Sequence, residues 1–366
     1  MTDTSNWLSQ WPENHQPPTD NPFLSSGFLS TLEQTGICTA KTGWQPMHLY
    51  NEAQILIPTY VKSHSWGEYV FDWSWANAYE QHGFEYYPKL VVAVPYTPSQ
   101  GPRFLGAQSE EDIKPVIKQL KQKTQQLTAS GFHILFPSPQ ECQWLDNMDL
   151  LKRCDVQYHW NNDQYRDFDD YLDRFSSRKR KNVRKERASI AEQGLKIRRL
   201  SGSDIDRQSW HAFYQFYHAT YMKRGRQGYL NREFFYRLLD LMKDQILLVM
   251  TYFQEKPVAA SLFFSDSKAL YGRYWGCFEE FNNLHFESCY YQGIEFCIEQ
   301  GLDRFDPGTQ GEHKISRGFE PTMTYSYHWL SNPQFFEAAK HFCEQELQMN
   351  QHYLAEARSA LPFKTC

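Results

Sequence analysis

Ionisable side chains are concentrated in one short segment near the end of the chain, GTQGEHKISRG, residues 308–318. Glu312 and His313 can each take a proton from an attacking amine when their surroundings bring the pKa near 7. Lys314 and Arg317 are cations of the kind that bind phosphate, pyrophosphate or carboxylate groups. Glycines at both ends of the segment let the loop wrap closely around a ligand. The segment therefore predicts a functional site, and the alternative is a glycine turn followed by a solvated strand end.

Two neighbouring motifs supply further candidates. LHFE places His285 and Glu287 two residues apart before a helix, where both can point the same way and act as bases. The alternative for His285 is a place beside a helix cap. YGRYWG places Arg273 and Trp275 on a predicted central strand, where an arginine needs an ionic partner or an anionic substrate group. We expect both to contact substrate, and the alternative for Arg273 is a structural ion pair with Glu68 or Glu312. We expect no metal, since further ligands at a known spacing are missing.

The first half of the chain and its centre contribute two more groups. Lys62, His64 and Glu68 are predicted to line a facing substrate cleft, or otherwise to form the polar face of an antiparallel strand. RKRKNVRKER, residues 178–187, carries seven cations against one acid in a chain of net charge −5. Arg180 and Arg184 of this run are candidate contacts for tRNA or for the nucleotide of a cofactor, and a solvated helix face is the alternative.

The elements that must position these residues form two similar halves. Amphipathic helices alternate with apolar strands, which predicts an α/β protein with mixed sheets. HSWGEYVFDWSWANAYEQHGFEYYPKL in the first half is echoed by YGRYWG…FCIEQGLDRFDPG in the second. We predict a flexible N-terminal arm over residues 1–26, a first domain over 27–165 and a second domain over 166–366, which carries the acyl-transfer site.

Composition narrows the function classes. A chain of 366 residues and pI near 6.2 is not a generic binder of nucleic acid or membranes, so any such binding requires a local patch. The eight cysteines show no CxxC spacing, and no apolar window approaches the roughly 18 residues of a membrane span. These features predict reduced thiols and a cytoplasmic protein. GxSxG, HExxH and P-loop motifs are absent from the sequence, which disfavours hydrolase and phosphoryl-transfer functions.

The quoted motifs, together with FSSRKRKNVRKERASIAEQG and GTQGEHKISRGFEP, resemble a bacterial family of predicted N-acyltransferases. That family is grouped with the Fem-type, FemAB-like peptidyltransferases of the GNAT superfamily. The resemblance covers nearly the whole chain from Phe28 onward. It implies tandem GNAT-like domains and transfer of an acyl or aminoacyl group to an amine acceptor, which is a small molecule or a peptide, without a metal or a tightly bound cofactor.

The donor implied by the resemblance is acyl-CoA or aminoacyl-tRNA. GNAT proteins usually bind the donor pyrophosphate with a Gln/Arg-x-x-Gly-x-Gly/Ala loop, and RGRQGYL does not match it in spacing or context. Fem-type relatives use aminoacyl-tRNA, which would give the basic helix a role. The alternative to catalysis is a GNAT-like protein that only binds a metabolite or RNA.

Overall fold

The computed structural model describes residues 6–13, 17–309 and 311–364. Its contacts divide the chain into two compact units. Unit 1 comprises Met1–Val156 and Met323–Tyr353, and unit 2 comprises Gln157–Thr322 and Leu354–Cys366. The predicted limits 27–165 and 166–366 stay a prediction. The contact units differ from them because a late segment of the chain joins unit 1.

The strands and helices alternate along much of the chain. The strands are β1 Asn6–Leu8, β2 Trp44–Pro46, β3 His48–Tyr50, β4 Leu56–Ile57, β5 Thr59–Lys62, β6 Lys89–Val92, β7 Gly131–Leu135, β8 Leu151–Asn161, β9 Leu195–Ser201, β10 Ile246–Phe253, β11 Lys256–Ser265, β12 Ala269–Cys277, β13 Arg304–Asp306 and β14 Glu320–Leu330. The helices are α1 Ser26–Gln34, α2 Trp73–Gln81, α3 Glu110–Gln126, α4 Pro139–Leu145, α5 Phe168–Asp173, α6 Ser177–Glu192, α7 Arg207–Met222, α8 Arg232–Met242, α9 Leu284–Phe286, α10 Gln292–Gln300 and α11 Pro333–Ser359. None of the helices in the described ranges has the length and apolarity needed to cross a membrane.

Unit 1 contains a mixed sheet in the order β2-β5-β6-β7-β14 and a small antiparallel sheet β1-β3-β4. The β6–β7 pair is parallel, while β14 runs antiparallel to β7 with Ser326 opposite Leu135. α3 begins at a capping box formed by Ser109 and Asp112, which satisfies backbone donors at its first turn. Its buried side chains recur at helical spacing and pack with β6 and β7.

Unit 2 contains a mixed sheet in the order β8-β13-β12-β11-β10-β9. The strands β9 to β12 are antiparallel neighbours, whereas β12 and β13 are parallel. A parallel pair requires a crossover, and the helical stretch from α9 to α10 provides it. The core of this unit is aromatic, with Trp160, Tyr171, Tyr291 and Phe305 among its buried members. The predicted α/β class with mixed sheets is therefore confirmed.

Part of the segment predicted as a flexible arm, residues 1–26, packs against other residues of unit 1, while several of its described residues are exposed. Residues 1–5 and 14–16 lie outside the described residues. β1 pairs with β3, and Trp11 is buried with its ring edge against His48 at 5.2 Å between centroids. The backbone nitrogen of Trp11 also donates to Glu33 Oε2 at 2.7 Å. The burial of this large ring and the partly buried hydrogen bond hold the segment around Trp11 against the rest of unit 1.

Candidate functional site

The candidate site of unit 2 is built beside an irregular helical stretch. α9 passes into a π-helical turn, Glu287–Tyr291, before α10 begins. Such turns change the side-chain register of a helix and are frequent at functional sites. A cavity of about 130 Å³ lies here. Its lining comes from β11, β12, the helical stretch and one loop: Ser261, Leu262, Phe263, Gly272, Arg273, Tyr274, Trp275, His285, Cys289, Tyr290 and Pro307.

A β-bulge places Arg273 at this cavity. In the β11–β12 ladder, Leu262 lies opposite Tyr274 and Phe263 lies opposite Gly272, so Arg273 is the extra residue. A bulge leaves its extra residue out of the ladder and re-aims the side chain. The predicted role of Arg273 in substrate contact thus rests on a local interruption of a central strand.

Arg273 and Lys314 share one buried counter-charge, Asp306. Arg273 Nη2 lies 3.0 Å from Asp306 Oδ2, and the two side chains are 3% and 1% exposed. Lys314 Nζ donates to the carbonyl of Gly308 at 2.6 Å. Burial lowers the pKa of Lys314 to about 8, and the charge of Asp306 opposes that shift. Two cations facing one carboxylate leave a surplus of positive charge, which favours an anionic ligand.

Two neutral imidazoles stand close to the same cavity. His313 is exposed, and its Nε2 lies 2.8 Å from the hydroxyl of Tyr290. Burial and the charges of Lys314 and Arg317 lower the pKa of His313. His285 contacts Trp275 and Tyr290 with ring centroids 5.6 and 5.3 Å apart, and burial lowers its pKa to about 4. Both rings are thus neutral at pH 7, and an imidazole in this state can accept a proton.

Two of the predicted site residues, Glu287 and Arg317, form ion pairs with other side chains of the protein. Glu287 is buried against Arg187 with Nη2 3.0 Å from Oε1, and it also accepts from Gln292. Arg317 pairs with both carboxylate oxygens of Glu186 at 2.9 Å. These partners occupy the hydrogen-bonding groups of both side chains. We therefore assign neither residue a direct role in substrate chemistry. Glu312, by contrast, is exposed at the start of the short 3-10 turn Glu312–Arg317.

The candidates from the first half form a buried network within unit 1. Lys89 Nζ donates to Ser65 Oγ and to Glu68 Oε2, both at 2.8 Å, and also binds Asp72. Lys62 lies 3.9 Å from Glu68 and 3.7 Å from the centroid of a tryptophan ring. His64 Nε2 bonds to the carbonyl of Thr42 at 3.0 Å. Burial lowers the pKa of Lys62 to about 7 and raises that of Glu68 to about 7.

The basic run forms α6, and its two predicted contacts are engaged with acids. Arg180 Nη1 lies 2.5 Å from Asp173, and Arg184 Nη2 lies 2.9 Å from Asp169. Other cations of the helix are exposed: Arg178, Lys181 and Lys185. Surface ion pairs of this kind are weak, so an RNA phosphate can compete for Arg180 and Arg184.

Sequence reasoning missed three residues of this site: Asp306, Tyr290 and His159. His159 is 3% exposed, and its Nε2 meets no hydrogen-bond partner among the described residues. Burial lowers the pKa of His159 to about 4, and the negative charge of Asp306 opposes that shift. The signal for Asp306 was the acid at the end of the strand in DRFDPG. Within the described ranges, no three His, Cys, Asp or Glu side chains converge to hold a metal ion.

Comparison with solved structures shows the fold. L-PGS from Bacillus licheniformis superposes with a TM-score of 0.50 at 12% identity, covering 91% of this chain and 99% of that one. FemX superposes with a TM-score of 0.51 at 11% identity, covering 89% of this chain and 96% of that one. The predicted Fem-type fold is confirmed by the second match. A search of curated protein sequences gives no match.

A protein-family model decides membership. The FemAB-like model, described as peptidoglycan biosynthesis/recognition, matches residues 5–365. The match includes every motif that carried the resemblance in the sequence. Since it spans nearly the whole chain, this protein belongs to the FemAB-like family.

Proposed function

We propose that this protein transfers an aminoacyl group from aminoacyl-tRNA to a primary amine of a peptidoglycan precursor. The observation that supports this best is the cavity at the β12 bulge, where Arg273, His285 and Tyr290 meet. Family membership supports the biological setting. Charged tRNA is a cytoplasmic molecule, so the proposal places the reaction in the cytoplasm.

The reaction needs positioning, proton transfer and charge stabilisation rather than covalent catalysis. The acceptor nitrogen attacks the ester carbonyl of the donor, and a carbon–nitrogen bond forms. The ester carbon–oxygen bond then breaks, and the terminal ribose of the tRNA leaves as an alcohol. The positive surplus of Arg273 and Lys314 against Asp306 favours the terminal phosphate of the donor.

His313 is the proposed general base. In the tautomer that we propose, Nε2–H donates to the Tyr290 hydroxyl 2.8 Å away, and Nδ1 carries the free lone pair. This nitrogen takes the proton of the attacking amine and returns it to the departing ribose oxygen. His285 is less suited to the task, because burial lowers its pKa to about 4 and weakens it as a base. We therefore propose that His285 shapes the cavity wall.

The donor is proposed to be tRNA because of the exposed face of α6. Arg178, Lys181 and Lys185 are exposed cations on one helix of an acidic protein. A local cationic face of this kind fits a polyanion. The sequence also lacks a pyrophosphate-binding loop for acyl-CoA.

A single-turnover transfer assay tests the proposal. Radiolabelled aminoacyl-tRNA is mixed with excess protein and an amine-bearing muramyl peptide precursor, and amide product is followed by quenched flow. His313→Gln retains a hydrogen-bonding side chain but not the basic imidazole, and we expect its rate to fall ~10²- to 10⁴-fold. The matched control is His341→Gln, since His341 is 74% exposed on α11.

Equal rates for His313→Gln and wild type would remove His313 as the base. Absence of product with every charged tRNA and precursor, in a folded wild-type protein, would favour the non-catalytic alternative. Transfer from an acyl-CoA under the same conditions would instead show that the donor is acyl-CoA and not aminoacyl-tRNA.

A further inference from the structure

A second cavity lies within unit 1 and is formed only by residues of that unit. Its volume is about 280 Å³. Four aromatic residues are among those that line it: Tyr69, Phe71, Phe136 and Tyr325. Phe71 is 61% exposed, which is unusual for a phenylalanine. A concave site with aromatic walls and a few polar groups is typical of a binding site for a small organic molecule.

The guanidinium of Arg153 uses all three of its nitrogens in hydrogen bonds within the protein at this cavity. Its Nη2 and Nε bond to the two carboxylate oxygens of Glu346 at 2.6 and 3.0 Å. Its Nη1 donates to the main-chain carbonyl of Phe71 at 3.1 Å. Arg153 and Glu346 thus neutralise each other's charge, which disfavours an anionic ligand beside Arg153.

The neighbouring polar side chains also direct their donors into the protein. The Thr324 hydroxyl donates to the carbonyl of Asp155 at 3.2 Å, and the Asn350 amide donates to the carbonyl of Cys154 at 2.9 Å. The cavity therefore offers acceptors more readily than donors. A ligand that supplies hydrogen-bond donors complements it best.

Asp155 is the carboxylate left for such a ligand. Its Oδ1 accepts from the backbone nitrogen of Val156 at 2.7 Å. Among the described residues, no cation forms an ion pair with it, whereas Glu346 holds Arg153. Asp155 is exposed at the surface of β8, yet the protein around it removes part of its hydration and raises its pKa, and the charge of Glu346 raises it further. A bound cation would lower the pKa of Asp155 and so oppose this shift.

We propose that this cavity binds an organic ammonium ion with an apolar body, whose nitrogen contacts Asp155 and whose chain packs on the aromatic wall. Aromatic faces attract cations and cover apolar chains, and a carboxylate supplies the ionic contact. Phe71, being exposed, is the ring that such a ligand would cover. The inference concerns unit 1 alone and does not depend on the proposed aminoacyl transfer.

Calorimetric titration of the full chain with hexylammonium chloride tests this site, with hexanol and sodium hexanoate as matched probes. We expect saturable binding of hexylammonium at least tenfold tighter than of either other probe. Asp155→Asn should weaken it at least tenfold. The control Asp149→Asn removes the charge of an exposed acid outside the cavity lining and should leave binding unchanged.

The proposal is overturned when hexylammonium shows no saturable binding, when hexanoate binds equally well, or when Asp155→Asn binds like wild type. If Asp155→Asn does not fold, Phe71→Ala decides, since this exposed ring can be removed without opening the core. Weaker hexylammonium binding in Phe71→Ala supports the site, and unchanged binding refutes it. The readout needs no turnover, so failure of the transfer reaction would leave the result interpretable.

Discussion

Replacement of Asp306 by asparagine tests whether one buried carboxylate neutralises the cations of the unit 2 site. The change keeps side-chain volume and removes the charge that lies 3.0 Å from Arg273 Nη2. Breaking a buried ion pair by removing one partner costs about 3–5 kcal/mol. Lys314 can offset part of this cost by losing its proton, which removes one of the two positive charges, because its pKa already lies at about 8. Deprotonation from that value costs only about 1.4 kcal/mol at pH 7. We therefore expect the low end of the range, about 3 kcal/mol.

The assay is native-state hydrogen exchange, read by mass spectrometry on peptides that contain β12 and β13. A loss of about 3 kcal/mol in local stability makes exchange there roughly a hundredfold faster. The control Asp303→Asn removes an exposed acid three residues earlier and should change little. Adding Arg273→Met to Asp306→Asn removes the unpaired cation and should restore part of the protection. Equal exchange in Asp306→Asn and Asp303→Asn would refute the shared counter-charge.

Three further outcomes follow from the geometry. Between pH 7 and about 10.4 the unfolded chain holds the Lys62 proton and the folded chain does not, so the contribution of Lys62 to stability rises with pH. In denaturant titrations, Lys62→Met should therefore reduce the change in unfolding free energy from pH 7 to pH 10 by about 2–4 kcal/mol relative to wild type. The same change in both proteins would contradict the shifted pKa. Gly311→Ala places a methyl group against the imidazole of His313 and strains a backbone at φ 109°. Single-turnover transfer should therefore fall as it does for His313→Gln, while the cost of the strained residue, on the order of 1–3 kcal/mol, lowers the melting temperature without unfolding the protein. Neutralising Arg178, Lys181 and Lys185 to Gln should lower the log–log salt slope of tRNA binding by about 2–3, and an identical slope would show that α6 is only a solvated face.

Regular elements were predicted well because their patterns are local. The amphipathic helices and apolar strands whose alternation predicted the α/β class are each recognised within a single short segment, as α3 and β6 illustrate. Each of these depends on residues only a few positions apart.

The site itself depends on contacts between distant segments, which one sequence does not reveal. Glu287 has the residue type of a base, but it pairs with Arg187, which lies 100 residues away in the sequence. The bulge at Arg273 is set by the register of β11 against β12, not by a residue type. The cavity of unit 1 likewise combines residues 69–71, 153–155, 324–326 and 346–350.

The central claim is that the unit 2 cavity receives the aminoacyl end of a charged tRNA. Dissociation constants of aminoacyl-tRNA, the same tRNA without its amino acid, and acetyl-CoA, each measured at two salt concentrations, test it most directly. We predict that charged tRNA binds more tightly than uncharged tRNA at both concentrations, that both weaken with salt, and that acetyl-CoA does not saturate. Equal binding of charged and uncharged tRNA, together with saturable acetyl-CoA binding, would contradict the claim.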